Sequence, residues 1–315
     1  MSRPFVSVLT PTANRRKFIP YAIQMFKAQT YPQASMEWIV LDDGTDKVGD
    51  LFAASGLKNV RYVALDEKLP IGAKRNRINE LAKGEICVCW DDDDYYCPDR
   101  VRQSVTRLRS APGGRIPVAG CSHLYLYYTD RKEIWSVGPY NRNHCTNGTM
   151  AYWRSYFKTH RYDDKAEKAE ERAFMDNWAT PVLQQEPDDV MLVICHSKNT
   201  FDKRKLLEQK NPSMKKTDFK LKRFVKDKRI IEFYNQLTEE YKEEKVVATA
   251  VAGAGTAATA VPVLSDIELN PALEFIGISD VSSTEAAPSL VPVPLPSLVV
   301  EEKEVASQPT DASGC

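Results

Sequence analysis

Trp90-Asp91-Asp92-Asp93-Asp94-Tyr95-Tyr96-Cys97-Pro98 sets four carboxylates side by side. Such groups do not stay ionised together without a cation or a supply of hydrogen-bond donors. A hard divalent ion, Mg2+ or Mn2+, resolves the conflict, because it takes oxygen ligands and is held by one or two carboxylates plus substrate phosphates. Asp42-Asp43 is a second acidic doublet. One carboxylate there could accept hydrogen bonds from a base or ribose while the other caps the next helix, and capping alone is the competing reading. In Leu69-Pro70-Ile71-Gly72-Ala73-Lys74-Arg75-Asn76, Gly72 opens a helix whose first turn offers Lys74 and Arg75. Helix N-termini and cationic side chains both suit phosphate.

These groups need a scaffold that brings them to one place. Phe5–Thr10, Trp38–Asp42, Val60–Ala64 and Ile86–Trp90 are strand-sized and rich in β-branched or aromatic residues. Helix candidates at about 17–29, 46–55 and 72–83 lie between them, the α/β pattern of a mainly parallel, Rossmann-like sheet flanked by helices. Ligands on such sheets sit beyond the carboxyl ends of the strands. The polar residues follow that rule: Thr10-Pro11-Thr12-Ala13-Asn14-Arg15 after the first strand, Asp42-Asp43-Gly44-Thr45 after the second and the four aspartates after the fourth. Three strand ends are therefore expected on one edge.

From 117 to 200 the chain changes to aromatic-rich strands (Leu124–Tyr128, Ile134–Val137, Met150–Trp153), a charged helix at about 166–178 and a strand at Val190–Cys195. This reads as an acceptor-side half packed on the same sheet. Residues 212–245 read as one helix, basic at first (Lys215, Lys216, Lys220, Lys222, Arg223, Lys226, Lys228, Arg229) and acidic at its end. A solvated face is preferred for 215–229 over contact with an anionic membrane. Residues 246–315 contain no Trp, Tyr, Arg or His and are punctuated by proline, so they are expected to be a disordered tail with a short apolar patch at 290–300.

The 43 basic side chains balance 43 acidic ones, so no global field selects nucleic acid as a partner. The 7 cysteines have neither zinc-site spacing nor the density of a disulfide scaffold, which points to a reducing compartment. There is no leader pattern and no run near the roughly 18–20 apolar residues that span a bilayer. A cytoplasmic protein is expected, and Asn147-Gly148-Thr149 is read as a chance glycosylation match.

The succession Val6-Ser7-Val8-Leu9-Thr10-Pro11-Thr12, Val40-Leu41-Asp42-Asp43-Gly44, Gly72-Ala73-Lys74-Arg75-Asn76 and Trp90-Asp91-Asp92-Asp93-Asp94, with Pro98 four residues on, resembles family-2 glycosyltransferases of GT-A fold. The resemblance covers roughly 4–205. It implies that Pro11, Thr12 and Asp42 or Asp43 hold the nucleoside, with Asp91 and Asp92 at the donor and Asp93, aided by Asp91, on the metal. It implies an acidic pair at a helix start as catalytic base, which Glu170-Glu171 fits. The family usually has Glu-Asp there, so the choice between the two is open, and register favours Glu171. His196 at a strand end would join the metal or diphosphate. Lys198, Asn199, Lys203 and Arg204 would form a loop closing over the diphosphate, with Asn14, Arg15, Lys74 and Arg75 on the donor side.

The expected activity is metal-dependent transfer of a sugar from a UDP-, GDP- or TDP-sugar to a hydroxyl of a glycan, protein or lipid-linked acceptor, with inversion. Tyr125, Tyr127, Trp135, Tyr140 and Trp153 could stack on an acceptor sugar or serve the core. A nucleotidyltransferase is the first alternative, but 10–15 has no glycine. A non-catalytic module of the same fold is the second. The expected division is a catalytic domain at 1–210 (nucleotide half about 1–120, acceptor half about 121–210), a charged C-terminal helix at 211–245 and the tail at 246–315.

Overall fold

The computed structural model describes residues 2–111, 115–199, 203–208 and 211–237; the expected tail at 246–315 lies outside the described residues. The chain opens with β1 (Val6–Thr12), α1 (Ile19–Lys27), β2 (Met36–Asp42), α2 (Gly49–Ala54), β3 (Val60–Ala64), α3 (Ile71–Leu81), β4 (Ile86–Cys89), β5 (Tyr95–Tyr96) and α4 (Arg100–Ser110). It continues with β6 (Val118–Gly120), β7 (Leu124–Tyr128), β8 (Glu133–Val137), β9 (Ala151–Trp153), α5 (Arg154–Phe157), α6 (Glu171–Phe174), β10 (Val182–Gln184) and β11 (Met191–Cys195). After α7 (Lys205–Glu208) come β12 (Met214–Lys216) and α8 (Leu221–Phe224).

A seven-stranded sheet runs β10-β6-β9-β4-β1-β2-β3. Its β4-β1-β2-β3 half is parallel, and β9 enters antiparallel to both β4 and β6. β1 is buried along its whole length, as a strand covered on both faces must be. Alternation divides β2 between two cores. Trp38 and Val40 join Phe26 and Trp90 on one face, while Ile39 and Leu41 join Leu9, Ile78 and Cys89 on the other. α1 covers the first face with Ile19, Ala22, Ile23, Met25 and Phe26.

Three expectations change. β7 and β8 do not extend the main sheet but belong to a second, five-stranded one ordered β12-β8-β7-β11-β5. The charged helix at 166–178 shrinks to α6, because Ala169 before it and Asp176, Asn177 and Trp178 after it all have positive φ, which no helix continues. The described part of the single helix expected at 212–245 is instead β12, which pairs with β8, then α8, then a helical run over 228–237, and 238–245 lie outside the described residues. That run is packed: Ile230, Phe233, Tyr234 and Leu237 are buried in the first core, as is Val225 just before it. Among the described residues, no helix is long and apolar enough to cross a membrane.

Candidate active site

β1 and β2 end together, Thr12 opposite Asp42, and Trp90 at the end of β4 donates its N–H to Leu9 O at 3.0 Å. The acidic turn therefore begins beside the other two strand ends, as the polar pattern requires. The turn then threads to the second sheet, since Tyr95 and Tyr96 of β5 pair with Leu192 and Met191 of β11.

The four aspartates separate into different environments. Asp93 Oδ2 lies 3.2 Å from His196 Nε2, 3.3 Å from Asn199 Nδ2 and 3.4 Å from Arg15 Nη2. Burial opposes its charge, but His196, Arg15 and Lys203 overcome that and hold Asp93 well below the usual carboxylate range. Asp92 is pushed up to about 8 by burial and then by Asp93, despite Arg15 at 3.7 Å and a hydrogen bond from Thr12 Oγ1. Asp94 accepts the Ile194 N–H at 2.8 Å and is also raised by burial. Lys203 stays charged because Asp94, Cys195 and Asp93 outweigh its desolvation.

Asp91 points elsewhere. Its Oδ1 meets Arg75 Nη2 at 3.1 Å, and Arg75 Nε donates to Glu170 Oε1 at 2.6 Å. This Asp91–Arg75–Glu170 chain joins the end of β4 to the start of α6. Burial works against the Arg75 charge, and Asp91 and Glu170 more than offset it. Glu171, next to this chain, lacks an ion pair among the described residues and is pushed up to about 8 by burial and then by Glu170, with the Asn147 N–H a partial offset. The two glutamates thus differ in kind: Glu170 is an ion-pair partner, and Glu171 is a poised titrating group.

His196 Nδ1 accepts the Lys198 N–H at 3.1 Å. A neutral ring then carries its proton on Nε2 and donates to Asp93, so His196 orients that carboxylate and does not offer it a neighbouring lone pair. Among the described residues, no group of three or more His, Cys, Asp or Glu side chains gathers at metal-binding distance. The donor set fits an ion held by the Asp93 carboxylate and completed by phosphate oxygens, the habit of Mg2+ and Mn2+. The expected second carboxylate ligand, Asp91, is diverted to Arg75, and His196 fits as the orienting group.

Other expected donor contacts are spent inside the protein. Asp42 accepts from Gly44 N (2.9 Å), Val48 N (3.1 Å) and Tyr62 OH (2.6 Å), the loop-capping alternative. Asp43 takes the Leu69 N–H at 2.9 Å and the Lys74 ammonium, which also reaches Thr12 O at 3.2 Å; Lys74 is therefore committed to the strand ends. Gly72 does not face a phosphate. Its N–H donates to Ala166 O at 3.0 Å, and a Cβ there would stand 1.8 Å from Asp163 O. Asn14, in the left-handed region at φ 56°, accepts from Asp46 N at 2.9 Å and ties down the loop. Pro11 is buried opposite Leu41.

Of the aromatic candidates, Tyr127 is core, and Tyr125 packs against Phe219 and Phe224. Trp135 bonds Glu133 on β8, and Trp153 faces Ile86 at the amino end of β4, away from the acidic turn. Sequence reasoning missed Tyr96 and Arg100. Tyr96 OH takes the Asp91 N–H at 2.8 Å and donates to Gly148 O at 3.2 Å. Arg100, fully buried, donates to Thr149 O at 2.8 Å and Met150 O at 2.9 Å and so fixes the Asn147–Thr149 turn that faces Glu171. No spacing rule announces an arginine whose partners are carbonyls.

Residues 7–161 match the model of the family described as Glycosyl transferase family 2. A Bacillus subtilis (strain 168) protein named for glycosyl transfer in teichuronic acid biosynthesis, TuaG, is 28% identical over 106 residues, 33% of this chain and 41% of its own length. The Escherichia coli (strain K12) protein WcaA, named for glycosyl transfer in colanic acid biosynthesis, is 26% identical over 141 residues, 43% of this chain and 47% of its own. The matched stretches span less than half of each relative. Among solved structures, the mannosyltransferase PcManGT from Pyrobaculum calidifontis, in complex with GDP-Man and Mn2+, has a TM-score of 0.49 at 16% identity, covering 82% of this chain and 77% of that one. S. aureus TarS 1-349 in complex with UDP-GlcNAc has a TM-score of 0.46 at 16% identity, covering 62% and 60%.

Proposed function

We propose that this chain, whose residues 7–161 match the model of the family-2 glycosyltransferases, is a glycosyltransferase of that kind with GT-A fold and moves a sugar from a nucleoside-diphosphate donor to an acceptor hydroxyl with inversion. The observation that carries this reading is the Asp91–Arg75–Glu170 chain, which brings Glu171 to the same sheet edge as Asp93. Glu170 and Glu171 lie beyond the family match, so their geometry supports their roles independently of it.

Glu171 is the general base. Once ionised it takes the proton of the acceptor hydroxyl, and its raised proton affinity suits it to hold that proton as the oxygen attacks the anomeric carbon. Glu170 and Arg75 hold the base in position. Asp93, oriented by His196 and Asn199, would hold a divalent ion together with the donor diphosphate. Arg15 and Lys203 add fixed positive charge around that diphosphate. When bound, the ion neutralises the charge that grows on the leaving group. Thr12, with Asp43 and Lys74 behind it, shapes the nucleoside end. The nucleotide is UDP, GDP or TDP, and the acceptor belongs to a glycan, protein or lipid carrier.

Lys216, Arg223 and Arg229 pair with Glu133, Asp188 and Asp227, which favours a solvated face at 215–229 over a membrane contact. We place the reaction in the cytoplasm on the same reading as the cysteines. The test is a panel of UDP-, GDP- and TDP-sugars with Mn2+, Mg2+ or EDTA, scored for donor hydrolysis and thermal shift. One donor is expected to stabilise the protein in a metal-dependent way. Silence across the panel from folded protein refutes the reading.

A further inference from the structure

Beside the base lies a structural feature that donor chemistry does not use. Asp176, Asn177 and Trp178 have φ of 49°, 50° and 68°, three consecutive left-handed residues without a glycine. This is unfavourable for every one of them, most of all for tryptophan, and such strain persists only where neighbours enforce it. They do: Asn177 N donates to Arg172 O at 2.9 Å, Arg172 Nε to Asn177 Oδ1 at 3.2 Å and Asn143 Nδ2 to Trp178 O at 3.1 Å. The product is the placement of one ring. Trp178 lies 4.5 Å from His144, which in turn meets Tyr140 at 4.9 Å.

The same two segments that meet at Trp178 and His144 also meet at Glu171, where the Asn147 N–H faces its carboxyl. His144 and Asn147 are three residues apart in sequence, so the Cα of the residue that touches Trp178 lies within about 11 Å of the Cα of the residue that touches Glu171. Among the described residues, the buried Trp178 Nε1 donor and the buried Asn147 Oδ1 acceptor meet no hydrogen-bond partner. A packing role would be met by an apolar ring on an unstrained backbone, with no stranded N–H. An aromatic face flanked by one donor and one acceptor matches a pyranose, which offers C–H groups on a face and hydroxyls at its rim. The rim is polar too, with Asn141 and Arg142 exposed.

We propose that Trp178, half-buried and backed by the buried His144 ring, forms with Tyr140 an acceptor subsite that stacks a sugar ring on the Glu171 side of the sheet edge, so that the acceptor is a glycan. This rests on the reading of Glu171 as base and narrows the acceptor to carbohydrate. It also makes Trp178 a specificity residue that leaves the donor untouched.

The full chain is labelled and applied to an array of neutral and acidic oligosaccharides in the presence of the donor nucleotide and Mn2+, with donor thermal shift measured in parallel. The wild type is expected to bind a defined group of glycans. Trp178→Ala should weaken that binding at least tenfold and Trp178→Phe should fall between, both with the donor shift unchanged. Equal glycan binding by wild type and both variants overturns the proposal, as does a wild type with an intact donor shift that binds no glycan. Absence of the donor shift in the wild type sinks the transferase reading separately. Should Trp178→Ala not fold, Trp178→Phe decides: full retention of glycan affinity refutes the use of the indole N–H.

Discussion

Replacing Glu171 by glutamine should abolish transfer and make the protein more stable at neutral pH. A carboxyl whose ordinary value is 4.5 sits at about 8 in the folded chain, because burial and Glu170 penalise its ionised form. The folded state binds this proton more tightly than the unfolded one, so the group costs nothing below pH 4.5. The cost grows as pH rises and levels off above about 8. At pH 7 the gap is about 2.5 pH units, worth on the order of 3 kcal/mol at ~1.4 kcal/mol each. Glutamine keeps the shape and the acceptor for the Asn147 N–H without the charge. Thermal melts at pH 5, 7 and 8.5 should therefore show Glu171→Gln close to wild type at the lowest pH and above it at the others. For a domain of this size, 3 kcal/mol corresponds to roughly 6–12 °C. Glu170→Gln should do the reverse, because removing one partner of a buried ion pair costs about 3–5 kcal/mol. Transfer by the wild type should rise with pH towards 8 as Glu171 ionises. A Glu171→Gln protein that is no more stable at pH 8.5 than wild type, or that still transfers sugar, would refute this assignment.

Asp93→Asn should remove the metal-dependent part of the donor thermal shift while leaving the melt without donor within a few degrees, checked with and without EDTA. Gly72→Ala forces a methyl against Asp163 O, 1.8 Å from its ideal Cβ, and should cost about 3 kcal/mol or more by denaturant titration. Arg100→Met strands the Thr149 carbonyl, while Met150 O keeps the Cys89 N–H, and frees the turn that faces Glu171. It should lower stability by about 1–3 kcal/mol and kcat with it, measured by urea unfolding and initial rates.

Much of the site was legible because strands carry a direction. Once β1, β2 and β4 could be recognised by their apolar runs, the polar residues after each had to share an edge, and Thr12, Asp43 and Asp91–Asp94 do. What each carboxylate does there was not legible. Asp42 and Asp43 read alike in sequence, yet Tyr62 OH and the loop amides claim one and Lys74 the other. Arg75 looked like a phosphate ligand because its partner Glu170 stands 95 residues away, and no local pattern encodes such a pair. The second sheet was missed for the same reason, since alternation in β7 and β8 shows a half-buried strand without naming its neighbour. The failed helix at 166–178 has another cause: its composition suits a helix, and tertiary contacts impose the left-handed residues that end it.

The pairing of β5 with β11 also sets the order in which this protein can assemble. Tyr95 waits for Leu192 and Asp94 for the Ile194 N–H, 100 residues downstream, so the acidic turn has no fixed shape until most of the chain has emerged. Closing so long a loop is entropically slow relative to local contacts. A fragment ending at 161, the limit of the recognisable pattern, would keep all four aspartates of the turn and lack the strand that aims them. The sequence motif and the structural unit that shapes the acidic turn therefore have different boundaries, the second being set by the five-stranded sheet.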